Sequence, residues 1–332
     1  MDISDILKCR CCMDIFPEDP ALAQPIYLAL MLKYHPDRCS DPRAPEVSAF
    51  LNDMFRKLKK AHSVREKLFR SGSRAYEIKY LMALPQEYGT EYIGKNTVWL
   101  LIEDDYADCF TRSEARTDLF FKEYLPQQIL AQTEVFVPLV RRIINTDDGL
   151  LIETCKRAGE LPLSKVLDFY GGKPDSRHAA WMISRLLGIC CYAEVRGIVW
   201  NCLAEENLLV DPAEHTVRVG GGWWFAAEEG GRMTGAQSSV YDCLSSLTKT
   251  NGTACHITDL ECVKAIARRI FPDDAPKAVR DFAESICSSS AFEEMEKWEQ
   301  VILEGFGGRR FTQMNVRLPD IAEPVQQSAN GL

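Results

Sequence analysis

The sequence predicts an α+β chain: a helix-only head of about seventy residues, a strand-bearing middle and a helical remainder. Three observations carry this. In the head, apolar residues recur at three- and four-residue steps, the period of an amphipathic helix. The middle holds short apolar runs, two of them joined by Asp147-Asp148-Gly149, a hairpin signal. From Leu163 onward helical spacing returns. At 332 residues the chain has room for two domains, or for one large domain with an appendage.

Taken in order, the first stripe is Leu22, Ile26, Ala29, Leu30 and Lys33. The second is Val47, Phe50, Leu51, Met54, Phe55, Leu58 and Ala61. Pro36 and Pro42 forbid helix between them, so the two helices are expected to face each other across a loop. Ser71-Gly72-Ser73 reads as a small, polar joint that ends the head near Arg70. Glu77–Leu84 and Thr97–Ile102 read as strands, with a turn-rich stretch around Gly89 and Gly94 between them. A helix over Ser113–Thr133 is expected to set Leu119, Phe120, Tyr124 and Ile129 on one side. Val140–Asn145 and Leu150–Glu153 form the hairpin; Leu163–Tyr170 and a largely apolar Arg177–Glu194 are helices. The residues from Pro319 to Leu332 are polar with little periodicity and read as a disordered tail.

Charge and cysteine content narrow the function classes. The net charge of −9 argues against a broad nucleic-acid surface. It is unevenly spread: residues 1–70 carry 12 Lys and Arg against 10 Asp and Glu, leaving the rest near −11. There is no apolar run of membrane-spanning length and no signal-peptide pattern at the start, so a soluble, cytoplasmic protein without membrane partners is expected. Thirteen cysteines, odd in number and irregularly spaced, read as reduced thiols. The cluster Cys9, Cys11, Cys12 lacks the second pair a zinc site needs, so no metal is expected.

The stretch Lys33-Tyr34-His35-Pro36-Asp37-Arg38, set between two amphipathic helices, resembles the loop of J-domains, the DnaJ family. The resemblance covers about residues 3–68 and implies a helical hairpin whose loop docks on a DnaK-type chaperone and stimulates its ATP hydrolysis. Pro36 would fix the loop, while His35 and Asp37 would offer polar groups to the partner. The sequence departs from the family in its second helix, which has Lys33 as its only cation and contains Pro25. The positive charge lies on the third helix instead, at Arg56, Lys57, Lys59 and Lys60.

A second resemblance begins at Gly197. The run Gly197-Ile198-Val199-Trp200-Asn201-Cys202-Leu203-Ala204-Glu205-Glu206-Asn207-Leu208-Leu209-Val210-Asp211-Pro212 is similar to the catalytic loop of protein kinases. Val217-Arg218-Val219 and the glycines after it resemble the strand before the kinase Asp-Phe-Gly. Ser238–Leu244 resembles the buried helix that follows. The resemblance implies a two-lobed domain over 75–318, a small β-rich lobe and a larger helical one, hinged at Glu153-Thr154-Cys155.

The chemistry of that family is missing from these positions. Trp200, Asn201 and Cys202 stand where His, Arg and the base Asp would, and a neutral thiol replaces a carboxylate poorly. The metal-binding Asp corresponds to Gly220 or Gly221. Leu101 stands about where the phosphate-binding Lys belongs, and no Gly-x-Gly-x-x-Gly precedes it. Asn207 alone remains of the polar set. The expectation is a pseudokinase: no enzyme and no cofactor, but a J-like head fused to a body that binds an unidentified protein client. The other readings are a nucleotide-dependent transferase with rearranged residues, and a pure scaffold with a silent loop.

Overall fold

The computed structural model describes residues 1–112, 127–137, 139–233 and 235–322. The chain mixes helices and antiparallel sheet, an α+β protein, and forms two compact units. The first gathers Met1–Glu66, Lys79–Met82 and the segment from Asn315; the second holds Lys67–Ile78 and Ala83–Met314.

In the first unit α1 spans Ile3–Lys8, closed by a reciprocal cap between Asp2 and Asp5. α2 spans Pro20–Tyr34, started by Asp19, whose carboxylate accepts from the Ala21 amide at 2.8 Å, and by Pro20 at the first turn. α3, Ala44–Ala61, buries Val47, Leu51, Met54, Phe55, Leu58 and Ala61, the stripe its sequence spacing marks. Tyr27 of α2 stacks on Phe55 at 4.2 Å and donates to Asn52.

The face of α2 differs from expectation. Of the expected stripe, Leu30 packs on the core, but Leu22 is 63% exposed and Ile26, Ala29 and Lys33 are exposed as well; Ala23 and Tyr34 are buried instead, and Tyr27 and Met31 pack beside them. α2 is apolar on every side, so spacing alone gave no way to choose the buried side.

The expected tail is also corrected in part. Leu318–Ile321 is a short helix with Pro319 and Ile321 buried, packed on α3. The Cys12 amide and thiol both donate to Asp320, at 3.0 and 3.1 Å. Residues 323–332 lie outside the described residues. The expected joint is a turn: Ser71-Gly72-Ser73 links β1 (Arg65–Ser71) to β2 (Arg74–Tyr80), with Gly72 at φ 58°. Phe69 and Ile78 are the buried residues of this pair. The expected single strand Glu77–Leu84 is divided at Leu81 between the end of β2 and a separate strand that begins at Met82.

In the second unit β3 (Met82–Gln86), β4 (Gly89–Ile93), β5 (Thr97–Ile102), β6 (Val140–Thr146) and β7 (Gly149–Cys155) form one sheet in the order β3-β4-β5-β7-β6. Gly89 thus opens a strand where a turn is expected. It sits at φ 141°, and its missing Cβ admits the Leu101 carbonyl. Asp147 and Asp148 make the two-residue turn, with Thr146 opposite Gly149. α4 (Asp104–Arg112) and α5 (Gln127–Phe136) lie between β5 and β6 in sequence. Leu119, Phe120, Tyr124 and the side chain of Ile129 lie outside the described residues.

After the sheet come β8 (Leu161–Pro162), α6 (Leu163–Phe169) and α7 (Ser176–Arg196), which Gly197 ends in the left-handed conformation. Short strands follow: β9 (Ile198–Val199), β10 (Leu208–Asp211), β11 (Thr216–Val219) and β12 (Ala227–Glu228). α8 (Ser238–Cys243), α9 (Ser246–Asn251), α10 (His256–Ile270), α11 (Lys277–Glu284) and α12 (Ala291–Phe306) complete the unit. Ser238–Leu244 is not the buried helix: among the residues of α8 only Val240 is buried, whereas α10 buries ten of its fifteen residues. Among the described residues no helix is long and apolar enough to cross a membrane.

Candidate functional site

Two regions hold the residues singled out above. In the first unit α2 stops at Tyr34 because Pro36 lacks an amide hydrogen and disfavours helical backbone before it. His35 caps the helix in an extended conformation, and its carbonyl accepts from the Arg38 and Cys39 amides, both at 2.9 Å. Its Nδ1 accepts from the Asp37 amide at 3.2 Å and lies 3.5 Å from the Asp37 carboxylate. The side chains face solvent, His35 47% exposed and Asp37 84%; Lys33, Pro36 and Arg38 are exposed as well.

Tyr34 is the exception. It is buried, donates to the Met1 carbonyl at 2.7 Å, and its own carbonyl accepts from Ser48 of α3 at 2.9 Å. It therefore anchors the loop rather than displaying itself. On α3, Arg56 and Lys57 pair with Asp53, and Lys59 lies over the Phe55 ring at 4.7 Å.

The second region is the stretch from β9 to the glycines after β11. Asp259 of α10, buried, accepts from the amides of Trp200 and Asn201 at 2.8 and 2.9 Å. Asn201 holds φ 50°, a conformation that Asn tolerates better than most residues, and its side-chain amide donates to the Gly235 carbonyl at 2.7 Å. Cys202 is sealed off, and burial pushes its thiol well up, so it is neither exposed nor ionised at neutral pH. Asn207 donates to the Cys202 carbonyl at 2.9 Å and to Gln237, while its backbone carbonyl accepts from Gly220 and Gly221 at 2.6 and 3.1 Å. The loop, Asn207 and the glycines are thus brought together, and Asn207 works as a brace.

The glycines are required by packing. A Cβ on Gly220 would stand 2.7 Å from Leu209 Cγ; on Gly221, 2.7 Å from the Tyr88 hydroxyl and 3.4 Å from Asn207 Oδ1. Tyr88, from the turn before β4, is fully buried and its hydroxyl has no hydrogen-bond partner. Its ring meets Trp224 edge-on at 4.9 Å. Trp223, Trp224 and Phe225 are all buried, which excludes an exposed aromatic patch. Leu101 is a buried residue of β5, opposite Thr90 and Leu151. The sequence reading missed Asp259, Tyr88 and Gln237. Asp259 had a signal, an acid within the apolar period of α10; a tyrosine before a glycine carries none.

Glu91 of β4 lies near Tyr88, with the Gln86 amide as a donor at 3.2 Å. Burial pushes its carboxyl up to about 7, against a smaller downward pull from Gln86. An unfolded Glu titrates near ~4.3, so between these values the folded chain holds more protons. The contribution of Glu91 to stability is then full at acid pH and is lost as pH rises through about 7. Glu91→Gln is expected to raise the melting temperature at pH 8 and to flatten the melting profile between pH 5 and 8. Equal melting temperatures for both proteins across that range would show that Glu91 carries no such penalty.

No protein-family model matches the chain, and no curated protein matches it.

Proposed function

We propose that the chain is a non-enzymatic fusion of a J-like head and a degenerate kinase-like body: the body binds a protein client, and the head brings it to a DnaK-type chaperone. In this reading the five-stranded sheet with α4 and α5 is the small lobe, and the helices from α6 onward form the larger lobe. The observation that carries the non-enzymatic part is the crowding at Gly221. A metal-binding carboxylate would have to stand there beside Asn207, and the Tyr88 hydroxyl already occupies that space. With Leu101 in place of a cation and Cys202 neutral and buried, these positions offer phosphoryl transfer no base, no metal-binding carboxylate and no phosphate clamp.

The chaperone part is supported by the exposed His35, Pro36 and Asp37 on a loop anchored through Tyr34. Because α2 presents Leu22, Leu28 and Leu32 to solvent rather than a row of cations, docking would rest on Lys33, Arg38 and the loop. In single-turnover assays the full chain is expected to accelerate ATP hydrolysis by a DnaK-type chaperone, and His35→Gln to abolish the effect. Failure of the wild-type chain to stimulate would remove the chaperone from this reading. Mg·ATP is expected to leave the melting temperature unchanged. A true ligand at 100 times its Kd would add about 2.7 kcal/mol, so a clear upward shift would return the chain to the enzyme class.

A further inference from the structure

Against α7 lies a cavity of about 240 Å³ that the proposed function does not use. Its charged lining comes from Arg177 and Arg185 of α7 and from Arg309 and Arg310 after α12, with no acidic residue among the lining side chains. Its apolar wall is Ala180, Ile302 and Phe306. Two of the arginines are engaged: Arg309 pairs with Glu299, and Arg177 lies over Phe306 and donates to its carbonyl. Arg185 spends its Nε on the His215 carbonyl at 2.7 Å. Among the described residues neither Arg185 nor Arg310 has an acidic partner.

His215 sits in the turn between β10 and β11 at φ 51°, with its ring stacked between Trp181 at 4.5 Å and Phe311 at 4.4 Å. It lines the cavity, is only 7% exposed, and its Nε2 has no hydrogen-bond partner. The Trp181 indole N–H, on the same wall, is likewise buried and unpartnered. Buried polar atoms without partners cost stability, and two of them on one arginine-lined wall point to a ligand that supplies the missing bonds. Burial lowers the affinity of His215 for a second proton, helped by the nearby Arg185 and opposed by a hydrogen bond with the Thr312 backbone and by Asp211.

We propose that this cavity binds a small organic anion, a carboxylate or phosphate monoester on a compact apolar body. Arg185 and Arg310 take the charged group, the Trp181 N–H donates to it, and Ala180, Ile302 and Phe306 hold the body. Guanidinium forks suit both head groups. The volume lies below the ~300–1,000 Å³ usual for larger ligands, so one ring with its anionic group is the fitting size.

The test titrates the full chain with phenyl phosphate, phenylacetate, inorganic phosphate and neutral benzyl alcohol, by calorimetry and by the indole N–H resonance of Trp181, assigned with Trp181→Phe. Binding of either aromatic anion with a shift of that resonance, weakened about tenfold (about 1.4 kcal/mol) in Arg310→Gln, supports the site. Which of the two binds more tightly identifies the head group. Arg310 is exposed and, among the described residues, has no acidic partner, so its variant remains informative if Arg185→Gln fails to fold. Absence of binding by both anions at millimolar concentration, equal affinity in wild type and Arg310→Gln, or benzyl alcohol binding as tightly as the anions would each overturn the proposal.

Discussion

Asp259→Ala is expected to destabilise the second unit by about 2–6 kcal/mol, at 1–3 kcal/mol for each of two buried amides that lose this acceptor. Those amides belong to Trp200 and Asn201, which donate to the Asp259 carboxyl oxygens at 2.8 and 2.9 Å. Asn201, held at φ 50°, would lose its main restraint, so the loop should loosen as well as the unit weaken. Denaturant unfolding measures the first effect and near-ultraviolet dichroism of the buried Trp200 the second. Asp259→Asn keeps one acceptor and should lose less. An alanine variant within about 0.5 kcal/mol of wild type, inside the range of an ordinary surface change, would mean that the loop is held by something else.

Five residues along the same helix, Lys264→Met is expected to cost about 3–5 kcal/mol, the usual penalty for stranding the partner of a buried pair. Lys264 and Glu294 are both buried, with Nζ and Oε1 2.5 Å apart; Nζ also donates to the Phe282 carbonyl at 2.6 Å and to Ser285 at 2.9 Å. Removing the ammonium leaves the Glu294 carboxylate in the interior, held by the Ser288 amide at 2.7 Å. The double variant Lys264→Met, Glu294→Leu removes both charges and should recover most of the loss. If the double variant is no more stable than the single one, the cost lies in lost packing around Phe282 rather than in an unpaired charge.

Where one face of an element is buried and the other is wet, its sequence announced it. The stripe of α3 is legible for that reason, as is the hairpin around Asp147-Asp148-Gly149, whose two-residue turn fixes the register. The faces of α2 were not legible, because an element that is apolar all round carries no directional signal. β1 and β2 each bury a single large side chain within a charged ribbon, and Gly89 was read as a turn because its need is close approach to Leu101 rather than chain reversal. At the candidate site, the absence of carboxylates around Gly220–Gly222 could be read directly. What fills the space could not, since Tyr88 lies more than a hundred residues before Gly221 and Asp259 lies 59 residues after Trp200, and each reaches its partner only through the tertiary fold.

The short helix Leu318–Ile321 has a consequence for how the chain is made. Cys12 and its acceptor Asp320 are 308 residues apart, yet they belong to the same compact unit. A ribosome adding ~5–20 residues per second needs roughly 15–60 s to travel from one to the other. During that interval α1, α2 and α3 can pack on one another, but the segment that completes the packing on α3 does not yet exist. The contacts of Leu318–Ile321 with α3 form only after that segment has been made, later than any contact among α1, α2 and α3.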